Sequence, residues 1–303
     1  MAVIATGFFD GVHIGHRLVI ETLVSEARRR HEESLVLTFW PHPRIVLQND
    51  ALGLRLLNTP SEKTALLKGL GVDKVYQLDF TREFSEMGAE QYLREVVMGR
   101  YGGTAILLGY DNRIGHDCLT PVQTADLASS LGLDVIRAEK VSAVGLAVSS
   151  TKIRNALKAG DVETASIYLC YDYSLSGKVV HGKKLGRTIG YPTANLELDE
   201  PLKLIPAVGV YLSQVWVGER LFYGMTNVGA TLETHIFDFD EEIYGQTITV
   251  SPAAGFEWAT GAMAASVGGS AVSISGSGNT GARSFEITSE GPYTISLNLV
   301  YVG

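Results

Sequence analysis

Cysteine is scarce: the 303 residues hold two, Cys118 and Cys170, far apart and in no Cys-x-x-Cys pair. A disulfide framework and a thiol redox centre are therefore not expected, and a reducing cytoplasm is the default compartment. Positive charge is short as well. Lys and Arg number 25 against 33 Asp and Glu, a formal net charge of −8, which argues against a general nucleic-acid or anionic-membrane binder while leaving room for a local pocket that takes a small polyanion. The chain lacks the basic n-region and apolar core of a secretory leader, and it has no apolar run of membrane-spanning length, so secretion and membrane insertion are not expected. Charged residues are 19% and hydrophobic residues 46% of the chain. At this length that is enough for two domains with buried cores.

The richest segment is Gly7-Phe8-Phe9-Asp10-Gly11-Val12-His13-Ile14-Gly15-His16. It follows the short β-prone run Val3–Thr6 and precedes Arg17–Arg30, where Leu18, Ile20, Leu23, Val24 and Ala27 recur at helical spacing. Three glycines and two histidines thus lie in a strand-to-helix turn. Glycines admit a phosphate close to the backbone, and a helix N-terminus offers unpaired N–H groups and the positive end of its dipole. His13 and His16 can donate to phosphoryl oxygens whose charge grows during transfer. The turn has no Gly-x-Gly-x-x-Gly dinucleotide fingerprint, and two histidines three apart make only half a metal site. The plain alternative is a glycine turn with two surface histidines.

Residues 1–170 alternate strand-like runs (Val3–Phe8, Ser34–Phe39, Lys74–Gln77, Thr104–Leu108, Asp134–Ala138) with helical stretches (Ser61–Leu70 with Ser61 as N-cap, Gly88–Met98, Pro121–Leu131). This is the pattern of an α/β domain with an open parallel sheet covered by helices, whose site belongs beyond the carboxyl ends of the strands. From Tyr171 the texture changes to short β-prone runs broken by Gly and Pro: Tyr173–Val180, Gly209–Val217, Leu221–Asn227, Thr234–Phe239 and Thr247–Val250. A small antiparallel β-barrel is expected over 171–250. Residues 251–303 are rich in Gly, Ser, Ala and Thr and end in the alternating run Tyr293–Leu299; strands are expected there, with no chemistry attached.

Four motifs in order, Gly7–His16, Thr38-Phe39-Trp40-Pro41-His42-Pro43, Gly109-Tyr110-Asp111 and Ser149-Ser150-Thr151-Lys152-Ile153-Arg154, resemble those of the bacterial bifunctional riboflavin kinase/FMN adenylyltransferases (FAD synthetases). The last also reads on its own terms. Ser150 and Thr151 can cap a helix Lys152–Leu157 and bind an anion there, and the Arg154 fork suits the β- and γ-phosphates of a departing pyrophosphate. The resemblance implies a Rossmann-like nucleotidyltransferase domain with His13, His16 and Arg154 catalytic. It also implies that Gly7, Phe9, Asp10, Gly15, Ser150 and Thr151 contact ATP, and that Asp111 and Asn112 contact flavin.

The run His181-Gly182-Lys183-Lys184-Leu185-Gly186-Arg187-Thr188-Ile189-Gly190-Tyr191-Pro192-Thr193-Ala194-Asn195 resembles the riboflavin kinase module. Its Gly182, Gly186 and Gly190 permit close approach to ATP phosphates. The Thr193 hydroxyl and Asn195 amide oxygen are hard ligands suited to Mg²⁺, and the resemblance implies that they help hold Mg-ATP. It places a catalytic carboxylate at Glu233, which would take the proton of the attacking ribityl hydroxyl. Against the family pattern, Ala230-Thr231-Leu232 runs straight from Gly229 into Glu233, and the tail after Val250 does not match.

The resulting expectation is a cytoplasmic two-step enzyme that uses ATP to phosphorylate riboflavin to FMN and then to adenylylate FMN to FAD, without nucleic-acid or membrane partners. Left open are an FMN adenylyltransferase with a degenerate kinase module, and a flavin- or nucleotide-binding protein without turnover.

Overall fold

The computed structural model describes residues 1–48, 53–109, 113–138, 148–182 and 191–252, together with the backbone of the strands within 256–267, 270–272 and 293–301. The chain divides into two compact units, Met1–Ser150 and Thr151–Gly303.

In the first unit the order is β1 (Ala2–Thr6), α1 (Ile14–Arg30), β2 (Glu33–Trp40), α2 (Pro43–Gln48), α3 (Pro60–Gly69), β3 (Lys74–Asp79), α4 (Arg82–Ser85) and α5 (Ala89–Gln91). A wide-turned π-helix (Tyr92–Arg100), β4 (Gly103–Leu108), α6 (Pro121–Ser130) and β5 (Asp134–Arg137) follow. All five strands are parallel in the order β3-β2-β1-β4-β5. The apolar runs are continuous because both faces of the sheet are covered. Val3 and Ala5 join Val36, Ala105 and Leu107 against Ile20, Leu23 and Ala27 of α1. Ile4 joins Leu35, Leu37, Ile106 and Leu108 against Leu93 and Val97 of the π-helix and Ala128 of α6. Strand order reverses between β1 and β4, so the segment leaving β1 sits at the switch point where such sheets bind ligands.

The expected helix Gly88–Met98 is thus split into α5 and the π-helix. The N-cap of α3 is Thr59 rather than Ser61: Pro60 takes the first helical position, and Thr59 and Glu62 form a reciprocal capping box. Thr120, Pro121 and Gln123 repeat the device at α6.

The helix α7 (Ser150–Lys158) begins at the boundary of the two units. The second unit continues with α8 (Val162–Leu169), β6 (Leu175–Val180), β7 (Ala194–Leu198), β8 (Gly209–Val217), β9 (Arg220–Val228), β10 (Leu232–Ile236) and β11 (Thr247–Pro252). The six strands close a barrel in the order β10-β7-β6-β11-β8-β9, antiparallel at every pairing. Alternate residues of β8, Tyr211, Ser213, Val215 and Val217, point inward and are buried. The short Gly229–Thr231 connection does not prevent closure, since Leu232 pairs with Val228. β7 is a strand that the Gly- and Pro-rich run before it concealed. The tail forms β12 (Phe256–Val267), β13 (Ser270–Val272) and β14 (Tyr293–Tyr301), a separate sheet in the order β13-β12-β14, consistent with the strands expected there.

Candidate functional site

Thr6 ends β1 and Ile14 starts α1, so the glycine turn occupies residues 7–13. Its course is tight. Phe9 (φ 52°), Gly11 (φ 85°) and Val12 (φ 36°) are left-handed, which costs roughly 1–2 kcal/mol at each non-glycine residue and needs surrounding structure to impose it. That structure is visible. The Phe8 carbonyl accepts from Thr38 Oγ1 at 3.2 Å and Lys63 Nζ at 3.0 Å. The Asp10 carboxylate accepts the N–H groups of Leu57 (3.0 Å) and Asn58 (3.3 Å). Ser150 Oγ donates to the Asp10 carbonyl at 2.9 Å.

Held this way, the turn delivers both histidines to the N-terminus of α1. His13 is the N-cap residue and makes no side-chain capping bond. Its ring stacks on that of His16, with centroids 3.7 Å apart and planes 17° from parallel. Gly15 leaves room for this, since a Cβ there would lie 3.3 Å from His13 ring atoms. Burial, then the proximity of His13 and of Lys63, hold the His16 pKa well below the usual histidine value. Stacked imidazoles at this distance could not both be charged without strong repulsion. A neutral His16 keeps one N–H donor, which is what a phosphoryl oxygen needs.

Phe9 packs its edge toward His16 (5.4 Å between centroids) and is otherwise part of the apolar core. A cavity of about 410 Å³ opens beside the turn, lined by Thr6, Gly7, Phe8, Phe39, Phe84 and Tyr92 among others. Asp111 and Asn112 lie outside the described residues. Ser150 and Thr151 occupy the first turn of α7 rather than a cap before it, and the Ser150 hydroxyl is used on Asp10. Arg154 lies one turn further along α7 and is half-buried. The sequence reading missed Lys63, which is 2% exposed. Its signal was a lysine four residues before Leu67, on the face of α3 that packs inward.

In the barrel, Glu233 on β10 stands opposite Asn195 on β7. Thr231 Oγ1 donates to Glu233 Oε1 at 2.7 Å, and Thr193 Oγ1 to Oε2 at 3.4 Å. Thr193 and Asn195, two apart along an extended chain, share a face. Gly182 lies so close to Asn195 that a Cβ would fall 2.2 Å from its amide nitrogen. The structure thus brings together Gly182, Thr193, Asn195 and Glu233; Gly186 and Gly190 lie outside the described residues. His235 Nδ1 donates to the Pro192 carbonyl at 2.8 Å and fixes the approach to Thr193. A second cavity of about 410 Å³ is lined by Val179, Pro192, Thr193, Ala194, Ile236 and Tyr244 among others.

The FAD synthetase family matches residues 1–152 and the riboflavin kinase family residues 169–255. The bifunctional riboflavin kinase/FMN adenylyltransferase of Listeria monocytogenes serovar 1/2a is 35% identical over 256 residues, 80% of each chain. The chain belongs to this bifunctional family. The family's members from Bacillus subtilis (strain 168) and Escherichia coli (strain K12) are each 33% identical, over 263 and 262 residues, with 82% of each chain covered. A crystal structure named as a macrolide-efflux protein, from Streptococcus pneumoniae, superposes with a TM-score of 0.76 at 33% identity, covering 82% of this chain and 84% of that one. Among the described residues no helix is long and apolar enough to cross a membrane. Neither family match extends past residue 255, so most of the tail is additional to the two modules.

Proposed function

We propose that this chain makes FMN and FAD in two ATP-dependent steps, riboflavin phosphorylation in the barrel and FMN adenylylation at the glycine turn, in the cytoplasm where ATP is supplied. The adenylyl module is taken as residues 1–170, the kinase module as 171–250, and 251–303 as a β-rich appendage without a catalytic part. The observation that carries the first assignment is the stacked His13/His16 pair, His13 buried and His16 half-buried, at the N-terminus of α1, which follows the strand where the sheet order reverses.

In the kinase step the ribityl hydroxyl attacks the γ-phosphorus of ATP, Glu233 accepts its proton, and the bond to ADP breaks. Thr193 and Asn195 offer hard oxygens beside a carboxylate, a donor set that fits Mg²⁺. There Mg²⁺ would offset the negative charge of the ATP phosphates. Thr231 orients the Glu233 carboxylate, and Gly182 keeps the backbone low enough for phosphates to approach.

In the adenylyl step an oxygen of the FMN phosphate attacks the α-phosphorus of a second ATP in line, and the bond to pyrophosphate breaks. No protein nucleophile is needed. The protein contributes orientation and charge stabilisation: His13 and His16 donate to phosphoryl oxygens as charge develops, N–H groups in the first turn of α1 add the dipole end, and Arg154 holds the leaving pyrophosphate. The apolar cavity beside Phe8 and Phe39 has the size and aromatic lining to take a flavin ring.

Incubating the full chain with riboflavin plus Mg-ATP, and separately with FMN plus Mg-ATP, followed by chromatographic separation of the flavins, tests both halves. FMN and FAD are expected from the first mixture and FAD from the second. FAD from supplied FMN without phosphorylation of riboflavin would remove the kinase assignment, and no product from either would remove both.

A further inference from the structure

We propose that Lys63 is a positioning residue for adenylyl transfer: its buried ammonium clamps the Phe8 carbonyl and ring, and so holds residues 9–16 in the course that presents the two histidines. The inference rests on the reading of the glycine turn as the adenylyl site, and goes beyond it to a side chain on a different element.

Lysine is almost never fully buried unless its charge is paired, yet Lys63 is 2% exposed. Its Nζ lies 3.0 Å from the Phe8 carbonyl oxygen and 3.9 Å from the centroid of the Phe8 ring, and the Asp10 carboxylate acts on it electrostatically. One residue of the turn thus receives both a charged hydrogen bond and a cation–π contact, and each is stronger when water is excluded. Thr38 takes the other lone pair of the same carbonyl. The next residue, Phe9, is the first left-handed one, and Asp10 is bound to the backbone at 57–58. Residues 57–63 therefore grip the turn twice, by backbone amides on Asp10 and by an ammonium on Phe8. The Thr59–Glu62 capping box fixes the α3 turn that aims Lys63. With its ammonium hydrogen-bonded to Phe8, Lys63 acts through the turn and not on the substrate.

A neutral side chain of similar length would fill the space without the grip, and a displacement of order 1 Å at the reacting groups costs on the order of 10²-fold in rate. The test uses the full chain with FMN and Mg-ATP, reading kcat and KM for FAD formation separately, with riboflavin phosphorylation and thermal melting as controls. Lys63→Met is expected to lower kcat for FAD formation about 10²-fold, to leave the KM for ATP within a few fold, and to leave riboflavin phosphorylation unchanged. Lys63→Arg, still a cation, is expected to recover at least about a tenth of the wild-type rate. A folded Lys63→Met enzyme with kcat within about twofold of wild type would overturn the role.

Should Lys63→Met not fold, the wild-type pH profile decides. Burial, partly countered by Asp10, brings the Lys63 pKa down to about 8. Among the described residues, Asp10 on the turn and His16 on α1 are coupled to it, and the His42 ring packs on the same Phe8 ring; His16 is already neutral in this range. The kcat/KM for FAD formation should therefore fall as the pH rises above about 8 and the ammonium is lost; a profile still flat beyond the ordinary lysine range, past pH about 10.5, would overturn the proposal. Absence of FAD from wild type at any pH would instead remove the adenylyl assignment.

Discussion

The two candidate clusters are built by different means. At the glycine turn, three left-handed residues carry the chain from β1 into α1, and their shape is imposed by groups from β2, the 57–58 segment, α3 and Ser150. In the barrel, Glu233 and Asn195 face each other because β10 and β7 are paired in register, and Thr193 follows from the two-residue period of an extended chain. The first arrangement depends on side chains remote in sequence and is exposed to their loss. The second depends on the ladder, and only changes that shift register or touch the cluster itself should disturb it.

The contrast breaks most sharply at Glu233. Glu233→Gln removes the proposed proton acceptor while keeping the side-chain shape, and should lower riboflavin phosphorylation by about 10²–10⁴-fold while FAD formation from FMN continues at its wild-type rate. Steady-state assays of the two steps on one preparation check this, and equal losses in both would mean that the clusters are not separable. Next in size, His13→Ala and His16→Ala each remove a proposed donor to developing charge and should cost about 10²–10³-fold in FAD formation, with ATP affinity changed much less. Near-normal FAD synthesis by either variant would strike that histidine from the mechanism.

A smaller effect sharpens the barrel side. Gly182→Ala would place a Cβ 2.2 Å from the Asn195 amide, so the Asn195 side chain must swing away, and riboflavin phosphorylation should fall about tenfold or more with little change in thermal stability. An alanine variant with unchanged kinase kinetics would show that Asn195 need not stay where it is. The smallest effect is one of linkage in the first unit. Lys63 has a pKa of about 8 when folded and about 10.4 when unfolded. Between these values the unfolded state binds more protons, so the contribution of this group to unfolding free energy rises with pH. Denaturant titrations should show wild type gaining on Lys63→Met across that window, and a constant difference would mean that the ammonium is not held in the buried site.

What the sequence disclosed follows from the same contrast. Continuous apolar runs such as Val3–Thr6 and Thr104–Leu108 announced buried parallel strands, and the alternation in Gly209–Val217 announced a barrel wall, because in both cases the pattern is local. β7 was hidden, since Asn195 and Glu197 alternate with only three small or apolar partners directly after a stretch of Gly and Pro. The cap of α3 was misplaced by two residues because Ser61 and Thr59 are both good caps, and only the position of Pro60 separates them. The histidines and Glu233 could be named from motif and resemblance, whereas Lys63 could not. Its importance comes from what α3 packs against, and a lone lysine among Ser61, Glu62 and Thr64 reads as a solvated face.

Barrel closure also bears on what can be appended to this enzyme. β11 is hydrogen-bonded to β6 on one side and β8 on the other, so the ring has no open seam at which a later segment could be stitched in. A chain continuing past Pro252 must satisfy its own backbone, as β12 does by pairing with β13 and β14. The C-terminal segment is in this sense additive: its strands pair with one another and take no rung of the barrel ladder.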